Sequence, residues 1–324
     1  MSIEHVAVVG AGRIGHGIAL AYALDGRSVA LYDVDEDVLA SSRSRIASVL
    51  ETFVEAGHVT RSEAETALGN VARADSFEGA VGDAGFVTAA VAEDIAVKRT
   101  VFERLDEHAP ADSVLATNTS GLSIDDIAAP VSDPSRVLGT HWFNPPYVVP
   151  LVEIVKGTET TDTAVGAIRD LLDSAGKTPV VVQKDVPGFI GNRIQAAMSY
   201  EAFSLLARGV ATPADIDKAV KAGFGFRLPL MGIFEKGDQS GLDIHHAVEK
   251  QLMADLDRGT DPNTVITELL AEGATGTDAG VGVYDWRGVN LPAVQDRRDQ
   301  ALLSTLELYE SVDHDTPPAN YDRT

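Results

Sequence analysis

The chain has 324 residues, 44% of them apolar, which is enough for two hydrophobic cores, so two domains are expected. A formal charge of −23 leaves no basic surface for nucleic acid and would be repelled by anionic lipid, so neither nucleic acid nor a membrane is an expected partner. The absence of cysteine excludes disulfides, thiolate nucleophiles and cysteine-ligated metal, and redox chemistry would have to come from a bound cofactor.

Ile3 to Val9 is rich in valine and reads as a strand; Gly10-Ala11-Gly12-Arg13-Ile14-Gly15 breaks it, and Ile18 to Leu24 reads as a helix closing at Gly26. Ser28 to Tyr32 makes a second strand ending at Asp33, followed by a helical stretch from Glu36 to Ala56 that closes at Gly57. Short apolar strands follow at Phe86 to Ala90, Val114 to Thr117, Val137 to Thr140, Leu151 to Val155 and Pro179 to Gln183, with helices such as Val97 to His108 among them. The alternation implies an α/β fold of Rossmann type, doubly wound around a mostly parallel sheet covered on both faces.

After Lys184 the strand signal stops. Phe189 to Arg208, Pro213 to Ala222, Leu242 to Arg258 and Pro262 to Glu272 carry helical periodicity, so an all-helical C-terminal domain is expected. The expected division is residues 1–184 for dinucleotide binding, 185–312 for a helical dimerisation and substrate domain, and 313–324 for a loose acidic tail containing Pro317-Pro318. The helix from Phe189 is apolar on more than one side, which suits burial between domains or subunits and points to a homodimer.

Glycines at 10, 12 and 15 between a strand and a helix, with an acid at the end of the next strand, form a dinucleotide-binding pattern. Gly10 permits the tight turn, Gly12 lets a pyrophosphate approach the backbone, and Gly15 lets helix and strand pack closely. Arg13 and Ile14 complete the turn and are expected to bind the cofactor with it, and Asp33 would bond the adenosine ribose. Asp33, Asp35 and Glu36 without a neighbouring arginine would repel a 2′-phosphate, so NAD is expected rather than NADP. A flavin is the other dinucleotide such a turn can hold.

Two further segments, Asn118-Thr119-Ser120-Gly121-Leu122-Ser123 and His141-Trp142-Phe143-Asn144-Pro145-Pro146, each follow a strand of the same sheet and would lie at its carboxyl edge, where ligands of open α/β folds bind. Together with Leu151-Val152-Glu153 and the run from Lys184 through Gly188 to Arg193, they resemble the signature of the L-3-hydroxyacyl-CoA dehydrogenase superfamily, from about His5 to Trp286. The resemblance implies that His141 is the general base, Glu153 its carboxylate partner, and Ser120 and Asn192 the groups that bond the reacting oxygen. It also implies that Glu93, Lys98 and Asn118 serve the cofactor and that Asn144 lies with the substrate. The chemistry agrees: an alcohol gives up hydride readily as its proton departs, and imidazole can take that proton near neutral pH. Taken singly, each residue also has a structural explanation, as a core histidine, an ion-pair partner or a helix cap.

The superfamily divides between enzymes of acyl-CoA thioesters and relatives that oxidise free hydroxyacids such as L-gulonate and carnitine, with lambda-crystallin alongside. Gly276, Gly280 and Gly282 to Trp286 resemble the CoA branch, whose activity is the expected one. Asn144-Pro145-Pro146-Tyr147 and Arg227 after Gly223-Phe224-Gly225 resemble the hydroxyacid branch, with Arg227 able to pair a substrate carboxylate or simply to cap a helix. A CoA phosphate would want basic residues on and after the helix that follows Asp33, where only Arg43, Arg45, His58 and Arg61 are found among many acids. A non-catalytic binding or structural protein of the same fold is the alternative of another class.

No metal site is expected, since adjacent His245 and His246 lack ligand spacing. His16 abuts the glycine turn, whereas His5, His58, His108 and His314 are expected at the surface. Glu4 and the early turn argue against a signal peptide, and a cytoplasmic location is expected. Carboxylates spread along the chain beside only eight lysines suggest a halophile's surface, with an ordinary acidic enzyme as the plainer alternative.

Overall fold

A computed structural model of the chain describes residues 3–312. The expected tail at 313–324, and with it His314, lies outside the described residues. The chain divides into two compact units, with the division between Arg193 and Ile194.

The first unit runs β1 (His5–Val9), α1 (Gly15–Leu24), β2 (Ser28–Tyr32), α2 (Glu36–Glu55), α3 (Arg61–Asn70), β3 (Val71–Arg73), α4 (Phe77–Val81), β4 (Phe86–Ala89), α5 (Ile95–His108), β5 (Val114–Thr117), α6 (Ile124–Ala128), β6 (Val137–Trp142), β7 (Leu151–Lys156), α7 (Asp162–Ser174) and β8 (Thr178–Val182). The eight strands form one sheet in the order β3-β2-β1-β4-β5-β6-β7-β8. All neighbours are parallel except β6 and β7, which pair antiparallel. The order reverses between β1 and β4, so a crevice opens there beyond the strands' carboxyl ends. β4 and β5 are buried at every position, as strands covered on both faces must be. One core lies on the α1, α2 and α7 side and another on the α4, α5 and α6 side.

Helix starts carry their caps in the sequence. The Asp35 side chain accepts from the N–H groups of Asp37 and Val38 to open α2, and Thr60 with Glu63 forms a reciprocal capping box on α3. The glycine turn packs as its spacing requires. A Cβ on Gly15 would sit 1.7 Å from the Gly10 carbonyl oxygen, so only glycine lets α1 start against β1.

Helix α8 (Gly191–Ala207) begins at the end of the first unit, two residues later than its apolar pattern suggested, because Phe189 turns into the left-handed region at φ +50° and is buried. The second unit continues with α9 (Pro213–Ala222), α10 (Ile233–Ser240), α11 (Leu242–Leu252), α12 (Thr264–Ala271) and α13 (Leu291–Glu310). It is helical but for short bridges joining Val281 to Gly276 and Asp285. In the single chain Ile194 and Met198 of α8 are exposed, as are Phe226, Phe234 and Leu242. No helix among the described residues is long and apolar enough to cross a membrane. His58 and His108 are half-buried, edge-on to Phe53 and Phe77, rather than at the surface.

Candidate active site

At the carboxyl end of β1, Gly10 takes φ +101°, and a Cβ there would lie 2.4 Å from the Ala90 carbonyl oxygen. Nothing comes within 4 Å of a Cβ built on Gly12, so the turn is open on the side a ligand would approach. The N–H groups of Gly12, Arg13 and Ile14 have no acceptor among the described residues, as an anion-binding helix start requires. Asp33 Oδ2 accepts from the Ala11 N–H at 2.7 Å and Oδ1 from Asp35 at 3.0 Å. Beside it is a cavity of about 390 Å³ lined by Asp33, Val34, Leu39, Ala40, Arg73 and Asp75, among others. These features fit NAD: donors for a pyrophosphate, a carboxylate for ribose hydroxyls, and a slot with Val34, Leu39 and Ala40 in its wall for adenine.

Glu93, after β4, accepts from the Thr119 hydroxyl at 2.6 Å and the Ser120 N–H at 2.8 Å. Lys98 on α5 is fully buried; its ammonium donates to the Asn118 carbonyl at 2.8 Å and the Thr117 hydroxyl at 3.3 Å, and lies 3.3 Å from Glu93. Burial pushes the Lys98 pKa down, against the opposing pull of Glu93. Burial also pushes the Glu93 carboxyl up, but the bonds from Thr119 and Ser120 and the Lys98 charge outweigh it and hold the group below its ordinary range. The Asn118 side chain accepts from the Trp142 N–H at 3.0 Å, which ties the end of β5 to β6.

His141 and Glu153 are direct partners across the antiparallel pair of β6 and β7, so both side chains leave the same face. His141 Nδ1 lies 2.7 Å from Glu153 Oε2, with both residues almost wholly buried. The other oxygen, Oε1, accepts from the N–H groups of Ile190 and Gly191, each at 2.9 Å, at the start of α8. Burial raises the Glu153 carboxyl, but the His141 bond and the two backbone N–H groups prevail and hold it below the ordinary carboxylate range. An ionised carboxylate can only accept, so Nδ1 carries a proton, and in the neutral ring that tautomer leaves the lone pair on Nε2.

Asn192, in the first turn of α8, places its amide nitrogen 3.4 Å from His141 Nε2 and 3.5 Å from the Ser120 carbonyl. Asn192, Ser120, His141 and Glu153 are thus brought together. Phe143 and Phe189, with ring centres 4.5 and 5.5 Å from that of His141, hold the imidazole in place. Sequence reasoning missed Thr119, Phe143 and Phe189; Thr119 lies inside the motif around Ser120, so its hydroxyl was the available signal. The Asn144 side chain is exposed ahead of Pro145. Arg227 is exposed in the helical unit, in the turns between α9 and α10, and its side chain has no partner among the described residues.

The family profile described as 3-hydroxyacyl-CoA dehydrogenase, NAD binding domain, matches residues 5–186, and that of the C-terminal domain matches residues 188–286. The chain belongs to the 3-hydroxyacyl-CoA dehydrogenase family. It is 35% identical over 308 residues to 5-formyl-3-hydroxy-2-methylpyridine 4-carboxylate 5-dehydrogenase of Mesorhizobium japonicum, covering 95% of this chain and 99% of that one. It is 34% identical over 287 residues to a probable 3-hydroxybutyryl-CoA dehydrogenase of Bacillus subtilis, covering 88% and 98%. Among solved structures, that of 5-formyl-3-hydroxy-2-methylpyridine 4-carboxylic acid 5-dehydrogenase, an NAD+-dependent dismutase, aligns with a TM-score of 0.90 at 33% identity, covering 96% of this chain and all of that one.

As a member of this family the chain is an NAD-dependent dehydrogenase acting on CH–OH groups. When bound, NAD supplies the hydride acceptor. What the protein contributes follows from the geometry. Nε2 of His141 is a nitrogen that can accept a proton, Glu153 at Nδ1 can stabilise an imidazolium, and the Asn192 amide beside Nε2 can donate to a nearby oxygen.

Proposed function

We propose that this dehydrogenase oxidises the hydroxyl group of a free, carboxylate-bearing substrate, with His141 as base, Glu153 as its partner, and Ser120 and Asn192 at the reacting oxygen. The observation that carries the choice is the engagement of the basic residues that a CoA phosphate would need. Arg45 donates to the carbonyls of Ala11 and Val38, Arg61 is paired with Glu51, and Arg43 donates to Leu68. Those cations already have partners, whereas the unpartnered Arg227 is the candidate for a bidentate carboxylate contact. Likeness over the whole length to a dehydrogenase of a pyridine carboxylate supports the same reading.

Oxidation of an L-3-hydroxyacyl-CoA is the second reading, favoured by the family profile and by hydroxybutyryl-CoA relatives such as that of Bacillus subtilis. The experiment compares NAD with L-gulonate, carnitine, 3-hydroxybutyrate and carboxylated pyridine alcohols against NADH with acetoacetyl-CoA, at high and low salt. Turnover of a free acid and none of the thioester is expected. Efficient reduction of acetoacetyl-CoA with inert free acids would overturn the proposal.

The exposed Phe226, Phe234 and Leu242 of the helical unit support a homodimer formed through it, in which Asn144 and Arg227 serve the substrate and residues 1–184 the cofactor. Light scattering at high salt tests the dimer. The acidic composition supports a cytoplasmic enzyme of a salt-rich cell, and activity rising with KCl tests that.

A further inference from the structure

Two side chains outside the dinucleotide motif grip its turn from behind. Arg45, on α2, is separated from Ala11 by more than 30 positions, yet its Nη2 donates to the Ala11 carbonyl at 2.7 Å and to the Val38 carbonyl at 3.0 Å. His16, in the first turn of α1, is buried, with Nδ1 2.7 Å from the Gly12 carbonyl. A carbonyl can only accept, so His16 Nδ1 carries its proton, and the Arg45 nitrogen 3.4 Å away lies beside that atom without bonding it.

The chemistry of these contacts lies in which peptide units they hold. The Ala11 carbonyl shares a planar trans peptide with the Gly12 N–H, and the Gly12 carbonyl shares one with the Arg13 N–H. In such a unit N–H and C=O point in opposite directions. Fixing the two oxygens therefore aims the two N–H groups away from Arg45 and His16, and polarises them as donors. Those N–H groups belong to the set with no acceptor among the described residues, on the open face of Gly12. The preceding unit is fixed as well, because the Ala11 N–H donates to Asp33.

We propose that Arg45 and His16 are positioning residues for NAD, holding the peptide units of the turn so that the Gly12 and Arg13 N–H groups are set for the pyrophosphate before it arrives. Neither need touch the dinucleotide. Their contribution is preorganisation, which lowers the cost of ordering donors at binding.

The test uses the full chain and measures binding separately from turnover. NADH affinity is read by fluorescence titration, and ADP-ribose and adenosine are titrated as competitors. Arg45→Met and His16→Ala are each expected to weaken NADH and ADP-ribose by the same factor, about tenfold or more. Adenosine, which lacks the pyrophosphate, should keep its affinity, and kcat at saturating NAD should stay within about threefold. Arg45→Lys, which keeps the charge and one donor, should recover part of the loss, and it remains informative if Arg45→Met folds poorly. Unchanged NADH affinity in His16→Ala and Arg45→Lys would overturn the proposal, as would an equal loss for adenosine and ADP-ribose.

Discussion

Replacing Glu153 with glutamine tests the proposed catalytic pair with almost no change of shape. The carboxylate accepts three bonds, one from His141 and two from the N–H groups that open α8. A glutamine amide has one oxygen and one NH2 group. The two backbone donors can be satisfied only by the oxygen, which turns the NH2 group toward His141 Nδ1. That nitrogen must then accept, and the ring proton moves to Nε2, the atom that takes the substrate proton in the proposed function. The variant should therefore keep its fold and its NADH affinity while losing general-base catalysis, worth about 10² to 10⁴ in kcat, or roughly 3 to 5 kcal/mol of barrier. The assay is steady-state kcat together with NADH titration of the same preparation. A kcat within threefold of the parent, with the fold intact, would refute the argument. Stability gives a second reading. The folded Glu153 carboxyl lies below its ordinary range, so its contribution is fully present above its unfolded pKa and is lost as pH falls through the folded one. The parent should lose more stability than Glu153→Gln across that acid interval, measured by urea titration at stepped pH.

Gly191→Ala would place a methyl carbon 2.6 Å from the Phe143 ring, which rests on His141, and should cost about 1 to 3 kcal/mol and lower kcat; an unchanged melting curve and rate would contradict the packing described. Asp33→Ala removes both the proposed ribose acceptor and the partner of the Ala11 N–H, so KM for NAD should rise at least tenfold by initial-rate assay and discrimination against NADP should shrink. On the free-acid reading, Arg227→Ala should raise the substrate KM about 10- to 100-fold, the worth of a charge-assisted bond, with KM for NAD unchanged; an unaltered substrate KM would remove Arg227 from the site.

The glycine turn, Asp33 and the alternation of strands with helices were legible from residue order alone, because each follows from local sterics or from burial along one element. The Thr60–Glu63 box and the three-residue β3 escaped notice because α3 and β3 have weak periodicity, and β7 gave no local sign that it would run against β6. His141 and Glu153 were legible as candidates twelve positions apart. Only the antiparallel register makes them face one another, and only the arrival of α8 occupies the second carboxylate oxygen and places Asn192 beside the imidazole. The bonds from Arg45 and His16 to the turn were equally out of reach: periodicity reports which face of a helix is buried, and a polar side chain reaching a main-chain oxygen elsewhere in the fold leaves no period to read.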